Sequence, residues 1–168
     1  MTQIAEKAVV RKSVRVSVPI EHAFSDFVEQ METWWPATHH LAPNPFQVIV
    51  VEPRVGGRWY ERDAYGNEDI WGFVRAWDPP RLVTLSWHVQ PDWSCDPSFD
   101  RASDVDIRFT AEDPSTTLVE LTHYNLERHG ENFMAYRDKM DSPGAWVFVI
   151  GEYAKVASGQ PKSKEAQA

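Results

Sequence analysis

The chain has 168 residues, with 25 acidic and 17 basic side chains, so its formal net charge is −8. This length fits one domain that can bury a core or enclose a cavity. The negative charge argues against nucleic acid or an anionic membrane as partner, because both attract clusters of Lys and Arg. Eight tryptophans are many for this length, and large aromatic side chains either fill a core or line a concave apolar site.

A single cysteine, Cys95, permits no internal disulfide. The N-terminus lacks the apolar core of a signal peptide, and no apolar run approaches the ~20 residues of a membrane-spanning helix. No His/Cys spacing is typical of a zinc site, and the acidic clusters lack the spacing of a calcium loop. We therefore expect a soluble, cytoplasmic protein with no metal and no cofactor.

The first elements are predicted to be a strand followed directly by a helix. Residues 10–18 alternate between apolar and polar side chains, which is typical of a strand with one buried face. From Ile20 to Met31 the apolar residues recur at intervals of three and four, which predicts an amphipathic helix. Residues 36–46 contain three prolines, so a loop or a short second helix is expected there.

Two adjacent histidines, His39 and His40, lie in this Pro-rich segment. Neighbouring side chains do not present two nitrogens to one metal ion without special backbone geometry. The favoured interpretation is therefore a solvated loop.

The middle of the chain is predicted to be an antiparallel meander. Residues 47–52 are a β-branched run, and three aromatic-rich runs follow at 58–61, 70–77 and 82–87, separated by turn sequences that contain Gly66 and Pro79-Pro80. Alternation places Trp59 and Glu61 on one face of their strand, and it likewise places Val83, Leu85 and Trp87 together on one face of the strand at 82–87.

The stretch from 89 to 103 is irregular, aromatic and acidic, and two interpretations stay open for it. It is either a lid over a cavity or a surface loop held by Trp93 and Phe99. Residues 105–109 and 117–124 then alternate as two further strands, and the second places His123 on the same face as Val119 and Leu121.

The C-terminal part is predicted to be helical. One helix is expected over 131–140, and a second carries an apolar stripe from Trp146 to Ala157. Residues 8–158 are predicted to form the single domain, with flexible tails at 1–7 and 159–168.

An ordered set of short motifs resembles the SRPBCC (START-like, birch-pollen-allergen-like) superfamily, and within it the branch similar to the activator of heat-shock-protein ATPase. The motifs are Gly56-Gly57-x-Trp59, Gly72-x-Val74, Pro79-Pro80-Arg81-Leu82-Val83, Trp87, Val119-x-Leu121-x-His123 and Glu127-Arg128-His129-Gly130. The resemblance implies an α+β helix-grip fold, in which a curved antiparallel sheet of about six or seven strands wraps around a long C-terminal helix. It also implies two short helices after the first strand.

The leading hypothesis is a non-enzymatic protein that binds a small apolar or aromatic molecule in a cavity between the sheet and the C-terminal helix. In this fold such a cavity is open, or tryptophans fill it. The expected ligand-binding residues are Trp35, Trp59, Glu61, Trp87, His123, Trp146, Ile150 and Tyr153. Glu61 and His123 are the polar anchors of this set.

Two alternatives come from other classes of protein. One is a protein-interaction module similar to the chaperone ATPase activator, with a chaperone or another protein as partner. The other is a cyclase or hydratase-like enzyme in which His123 and Glu61 act as the general acid and base. An isolated His/Glu pair without a recognisable nucleophile motif does not establish catalysis.

Overall fold

The computed structural model describes residues 8–163. The strands in this part are β1 Val10–Val16, β2 Phe46–Val51, β3 Arg58–Asp63, β4 Glu68–Asp78, β5 Leu82–Trp87, β6 Ser103–Asp113 and β7 Thr116–Tyr124. The α-helices are α1 Ile20–Glu29, α2 Met31–Trp34, α3 Phe133–Met140 and α4 Trp146–Ala157. Short 3₁₀ turns cover Phe99–Arg101 and Leu126–His129.

The strands form one curled antiparallel sheet in the order β1-β7-β6-β5-β4-β3-β2. The first strand, β1, forms one edge of the sheet and pairs with the last strand, β7, so that Val10 lies opposite His123. Helices α1 and α2 follow β1, and α4 packs against β1 and both of these helices. This arrangement confirms the predicted α+β helix-grip fold, including its two short helices after the first strand.

Two glycines of the meander have structural reasons for their identity. Gly66 has φ +87° in the turn between β3 and β4, which is the positive φ that the turn sequence predicted. At Gly72 in β4, a Cβ atom would lie 1.7 Å from the carbonyl oxygen of Ser86 in β5. The close approach of these two strands therefore excludes a side chain at position 72.

One end of the interior is a sealed aromatic cluster, called the closed end below. The ring of Phe27 in α1 lies 4.8 Å from Trp34, 5.0 Å from Tyr153 and 5.8 Å from Phe109, measured between centroids. These four side chains are at most 2% exposed. The amphipathic α1 predicted from its apolar spacing thus supplies the cover of this end.

The structure adds detail at the predicted ends of the domain. Helix α3 begins at Phe133 and not at Glu131. Part of the predicted C-terminal tail contacts the domain, because Nζ of Lys162 donates to the Trp35 carbonyl at 3.0 Å and the amide of Ser163 donates to Glu152 at 2.6 Å. The remaining predicted tail residues, 1–7 and 164–168, lie outside the described residues, and the domain limits stay a prediction.

Within residues 8–163, no helix is both long and apolar enough to cross a membrane.

Candidate functional site

A cavity of about 540 Å³ opens between the sheet, the start of α4 and three loops. Its lining residues are Trp35, Thr38, His39, His40, Leu41, Trp71, Trp87, Val89, Trp93, Lys139, Met140, Ser142, Gly144, Ala145, Trp146 and Val149. Five of the eight tryptophans are in this set. A volume of this size is within the ~300–1,000 Å³ range of small-molecule sites.

The inner wall of the cavity consists of tryptophans that pack edge to face or tilted. Trp87 lies 5.3 Å from Trp146, and Trp35 lies 4.9 Å from Trp71, between ring centroids. Trp59 packs behind this wall, 5.5 Å from Trp87 and 5.3 Å from Trp71. Such pairs gain about 0.5–1.5 kcal/mol each beyond the burial of their area, so the wall is rigid before any ligand enters.

Hydrogen bonds fix the orientation of each inner indole ring. The Trp87 N–H donates to Tyr136 Oη at 2.8 Å, and the Trp71 N–H donates to Glu61 Oε1 at 3.0 Å. The Trp35 N–H donates to the His39 carbonyl at 2.8 Å, and the Trp146 N–H donates to His123 Nδ1 at 2.9 Å. Because these donors are already satisfied, the wall presents apolar ring surface to the cavity.

His123 belongs to a buried chain of hydrogen bonds whose direction follows from its ends. The Trp146 indole can only donate, so His123 accepts at Nδ1 and carries its proton on Nε2. That N–H donates to Ser103 Oγ at 2.6 Å, and Ser103 donates to His129 Nε2 at 2.7 Å. His129 then donates from Nδ1 to Gln90 Oε1 at 3.2 Å.

Both histidines of this chain are neutral at neutral pH. Burial lowers the pKa of His123 to about 3, and the nearby His129 adds to the effect. Burial likewise lowers the pKa of His129 to about 4, with smaller contributions from Arg101 and His88. The two ring nitrogens of His123 are occupied by protein groups, so this residue positions Trp146 and has no lone pair free for a substrate.

Glu61 is fully buried behind the cavity wall. Its Oε1 accepts from the Leu41 amide at 2.7 Å and from the Trp71 indole at 3.0 Å. Its Oε2 has no partner among the described residues. The carboxylate therefore joins a loop to a strand of the wall, and three strands of the sheet lie between it and His123.

Of the residues predicted to bind a ligand, the structure brings Trp35, Trp87 and Trp146 to the cavity surface. The others are buried around it without lining it: Trp59, Glu61, His123, Ile150 and Tyr153. Tyr153 lies at the closed end, where its hydroxyl donates to the Ala23 carbonyl at 2.7 Å. The predicted acid/base couple of His123 and Glu61 is not brought together.

The loop of His39 and His40 forms part of the cavity rim, which the sequence interpretation as a solvated loop missed. Nε2 of His39 bonds to the Gly144 carbonyl at 2.9 Å, which ties this loop to the one before α4. Nδ1 of His40 bonds to the Ala42 carbonyl at 2.7 Å. The contact between His39 and Gly144 spans 105 positions in sequence, so no local pattern could have indicated it.

The segment from 89 to 103 combines the two interpretations that the sequence left open. Trp93 lines the cavity, is 48% exposed, and lies under Nζ of Lys139 at 5.2 Å from its ring centroid. Phe99 packs on the outer face of the sheet, 5.5 Å from Phe73 and 4.8 Å from His88. One half of this segment therefore borders the cavity, and the other half is held at the surface.

A curled sheet around a C-terminal helix, with an apolar cavity beneath the loops, defines the helix-grip class of the SRPBCC superfamily. The chain belongs within it to the family described as Activator of Hsp90 ATPase homolog 1-like protein, which matches residues 17–141. This confirms the family resemblance that the sequence motifs indicated.

Among solved structures, an anthrahydroquino-gamma-pyrone synthase, Txn09, determined as a complex, is 36% identical to this chain, with a TM-score of 0.62. The match covers 88% of this chain and 96% of that one. The self-sacrificing resistance protein CalC from Micromonospora echinospora is 27% identical, with a TM-score of 0.68, and the match covers 93% and 97% of the two chains.

Protein NE0264 from Nitrosomonas europaea shares the fold at 15% identity and a TM-score of 0.63, with 93% of this chain and 97% of that chain covered. No curated protein matches the sequence significantly.

Proposed function

We propose that the protein binds a flat, largely apolar aromatic molecule in the tryptophan-lined cavity. The observation that carries this proposal is the open space of about 540 Å³ bounded by five indole rings. Four of these rings, those of the inner wall, have N–H donors that are already bonded. They offer a ligand their faces and edges, which favours aromatic surfaces over strongly hydrated ones. The small apolar or aromatic ligand expected from the sequence fits this description.

The volume of the cavity, about 540 Å³, accommodates a ligand of about three fused rings. Burial of roughly 200 Å² of apolar ligand surface gains about 5 kcal/mol before the cost of association is subtracted. The inner wall reduces that cost, because hydrogen bonds already hold its indole rings before a ligand binds. A gain of about 5 kcal/mol corresponds to a dissociation constant of about 0.2 mM, so an affinity in the sub-millimolar to millimolar range is expected for a ligand that makes no polar contact.

One relative supports the same class of ligand. The relative that is 36% identical is an anthrahydroquino-gamma-pyrone synthase, whose name describes a fused aromatic compound. Its match extends over 88% of this chain. The rim of the cavity carries polar groups, whereas the tryptophan wall presents apolar ring surface. These polar groups would select one aromatic ligand over another.

The test is a titration of tryptophan fluorescence with 2-methoxyanthraquinone, an aromatic probe without a hydrogen-bond donor. Val149 lines the cavity on α4, whereas Val147 on the same helix is 44% exposed. Saturable quenching is expected for the wild type and for Val147→Phe, with at least tenfold weaker binding for Val149→Phe. Circular dichroism verifies that both variants are folded. Absence of saturable quenching, or equal affinities for the two variants, would contradict the proposal.

A second candidate is a cyclase or hydratase-like enzyme, and the 36% identity to a synthase favours it. The expected catalytic pair, His123 and Glu61, is engaged with protein groups, so catalysis would use the cavity rim instead. Incubation of the protein with the substrate of Txn09, followed by mass spectrometry, tests this candidate. Product formation that Val149→Phe abolishes would support it, and an unchanged substrate would leave only binding.

The family description keeps a chaperone as an alternative partner. A pull-down with purified chaperone and an assay of its ATPase rate test this alternative. Stimulation of the ATPase would support it, and the absence of both binding and stimulation would remove it. A cytoplasmic location, expected from the single cysteine, is part of the proposal and is tested by fractionation.

A further inference from the structure

His40 differs from the other histidines near the cavity in how its ring is bonded. Its Nδ1 lies 2.7 Å from the Ala42 carbonyl oxygen, and a carbonyl can only accept, so Nδ1 carries the proton. In the neutral ring Nε2 then has a lone pair. No hydrogen bond among residues 8–163 uses this nitrogen. The backbone therefore fixes the tautomer and leaves one acceptor unoccupied on a residue that lines the cavity.

The neighbouring histidines use both of their ring nitrogens in hydrogen bonds. His39 uses both ring nitrogens, on Thr38 Oγ1 at 3.0 Å and on the Gly144 carbonyl at 2.9 Å. His123 and His129 use both of theirs within the buried chain that runs through Ser103. Only at His40, within the described part of the chain, does a cavity-lining imidazole keep a free acceptor.

The charge of the lining favours an acidic hydrogen-bond donor as the partner for this acceptor. The described cavity residues include no Asp or Glu, although the chain has a net charge of −8. The one Lys or Arg among them is Lys139, whose ammonium group also lies over the ring of Trp93. A cationic ligand would meet this positive charge without a counter-ion, whereas the partial negative charge on the oxygen of an acidic hydroxyl would be stabilised by it.

We propose that the cavity selects aromatic molecules that carry an acidic hydroxyl, such as a phenol or an enol, and that Nε2 of His40 accepts the hydrogen bond of this hydroxyl. This inference rests on the proposed binding function and adds the substrate class to it. The tryptophan wall holds the rings, and His40 at the rim recognises the hydroxyl. Because the Ala42 carbonyl holds the imidazole by Nδ1, the acceptor is oriented before the ligand arrives.

The experiment compares two probes that differ in one hydrogen-bond donor, 2-hydroxyanthraquinone and 2-methoxyanthraquinone. Dissociation constants are measured by tryptophan quenching for the wild type, His40→Phe and the control His22→Phe. Phenylalanine keeps a flat ring at position 40 but removes the nitrogens. His22 lies on α1 with its side chain 59% exposed, outside the cavity lining. Should His40→Phe fail to fold by circular dichroism, His40→Ala replaces it.

One hydrogen bond changes affinity by roughly threefold to tenfold. The wild type and His22→Phe are therefore expected to bind the hydroxy probe that much more tightly than the methoxy probe. In His40→Phe the ratio of the two constants falls to about one, while the methoxy probe binds as before. Equal affinity of the wild type for both probes, or a ratio that survives in His40→Phe, would overturn the assignment of His40 alone. Failure of both probes to bind would overturn the binding function itself.

Discussion

The two ends of the interior use the same kind of side chain for different purposes. At the closed end, α1 lies over the sheet and seals the rings of Phe27, Trp34 and Phe109 with Tyr153. At the cavity end, loops cover the sheet, and the tryptophans there border an open space of about 540 Å³. The element that covers each end therefore decides whether its aromatic residues are packed as core or border a cavity. An amphipathic helix presents a continuous apolar face, whereas loops bring polar groups and leave gaps.

The polar groups follow the same division. At the closed end Tyr153 and Trp34 donate to the backbone carbonyls of Ala23 and Asp26, so their polar atoms are all satisfied within the fold. At the cavity end the rim still offers Nε2 of His40 to a partner. The closed end is therefore expected to dominate stability, and the cavity end to dominate recognition.

The largest expected effect is at the closed end. Phe27→Ala removes a ring that contacts three other aromatic side chains and leaves a void that the rigid sheet cannot fill, so a loss of about 3–5 kcal/mol in unfolding free energy is expected. Urea denaturation followed by circular dichroism measures it. Val147→Ala, on an exposed position of α4, is the control and should change stability by less than about 0.5 kcal/mol. A loss below about 1 kcal/mol for Phe27→Ala would show that this end is not sealed.

The second effect concerns the buried chain that holds the cavity wall. Ser103→Ala deprives Nε2 of His123 and Nε2 of His129 of their shared partner, and both are buried. Two unsatisfied polar atoms cost about 2–4 kcal/mol in unfolding free energy. Ser13→Ala, at an exposed position of β1, should be nearly neutral in the same denaturation experiment. Equal stability of the two variants would mean that the chain of hydrogen bonds does not support the wall.

The third effect is a loss of stability on mild acidification. The pKa of His123 is about 3 in the fold and about 6.5 in the unfolded chain, so its stabilising contribution is present above pH 6.5. Between pH 6.5 and 3 the unfolded state binds the proton that the folded state excludes, and stability falls. At pH 5 this loss is about 2 kcal/mol for His123. The lowered pKa of His129 adds to it in the same direction.

Urea midpoints measured from pH 7.5 to pH 5 check this expectation. The lowered carboxylate pKa of Asp63, about 2, acts only at lower pH and does not confuse the result. Ser13→Ala should keep the same pH slope, because it removes no ionisable group and lies at an exposed position of β1. A midpoint that does not change between pH 7.5 and pH 5 would contradict the neutral, buried histidines.

The smallest expected effect on stability is at the cavity rim. Trp93 has φ +67°, which costs a bulky residue about 1–2 kcal/mol, and its contact with Lys139 returns about 0.5–1 kcal/mol. Trp93→Gly should therefore leave the unfolding free energy within about 1 kcal/mol of wild type, while 2-methoxyanthraquinone binds several-fold more weakly. Phe99→Ala, on the outer face, is the control for binding and should leave it unchanged. Unaltered affinity in Trp93→Gly would remove Trp93 from the site.

The sequence predicted the parts of the fold that depend on local periodicity. Alternation over 10–18 and 117–124 indicated two strands, and the apolar spacing of 20–31 and 146–157 indicated the helices that cover the sheet. It also indicated that Trp35, Trp87 and Trp146 lie near one cavity. Their role in binding a ligand stays a prediction, as does that of the five buried residues predicted with them.

Local periodicity therefore indicated the elements, because periodicity depends on side chains a few positions apart. The ordered motifs from Gly56 to Gly130 indicated the family. The sequence did not predict which aromatic residues border the cavity or which polar atoms lack a hydrogen-bond partner, and the tertiary structure was needed to show them. Those outcomes depend on contacts such as the one between His39 and Gly144, which join segments far apart in the chain. For the same reason His40, which looks like a loop residue in the sequence, lies at the rim of the cavity with one nitrogen available to a ligand.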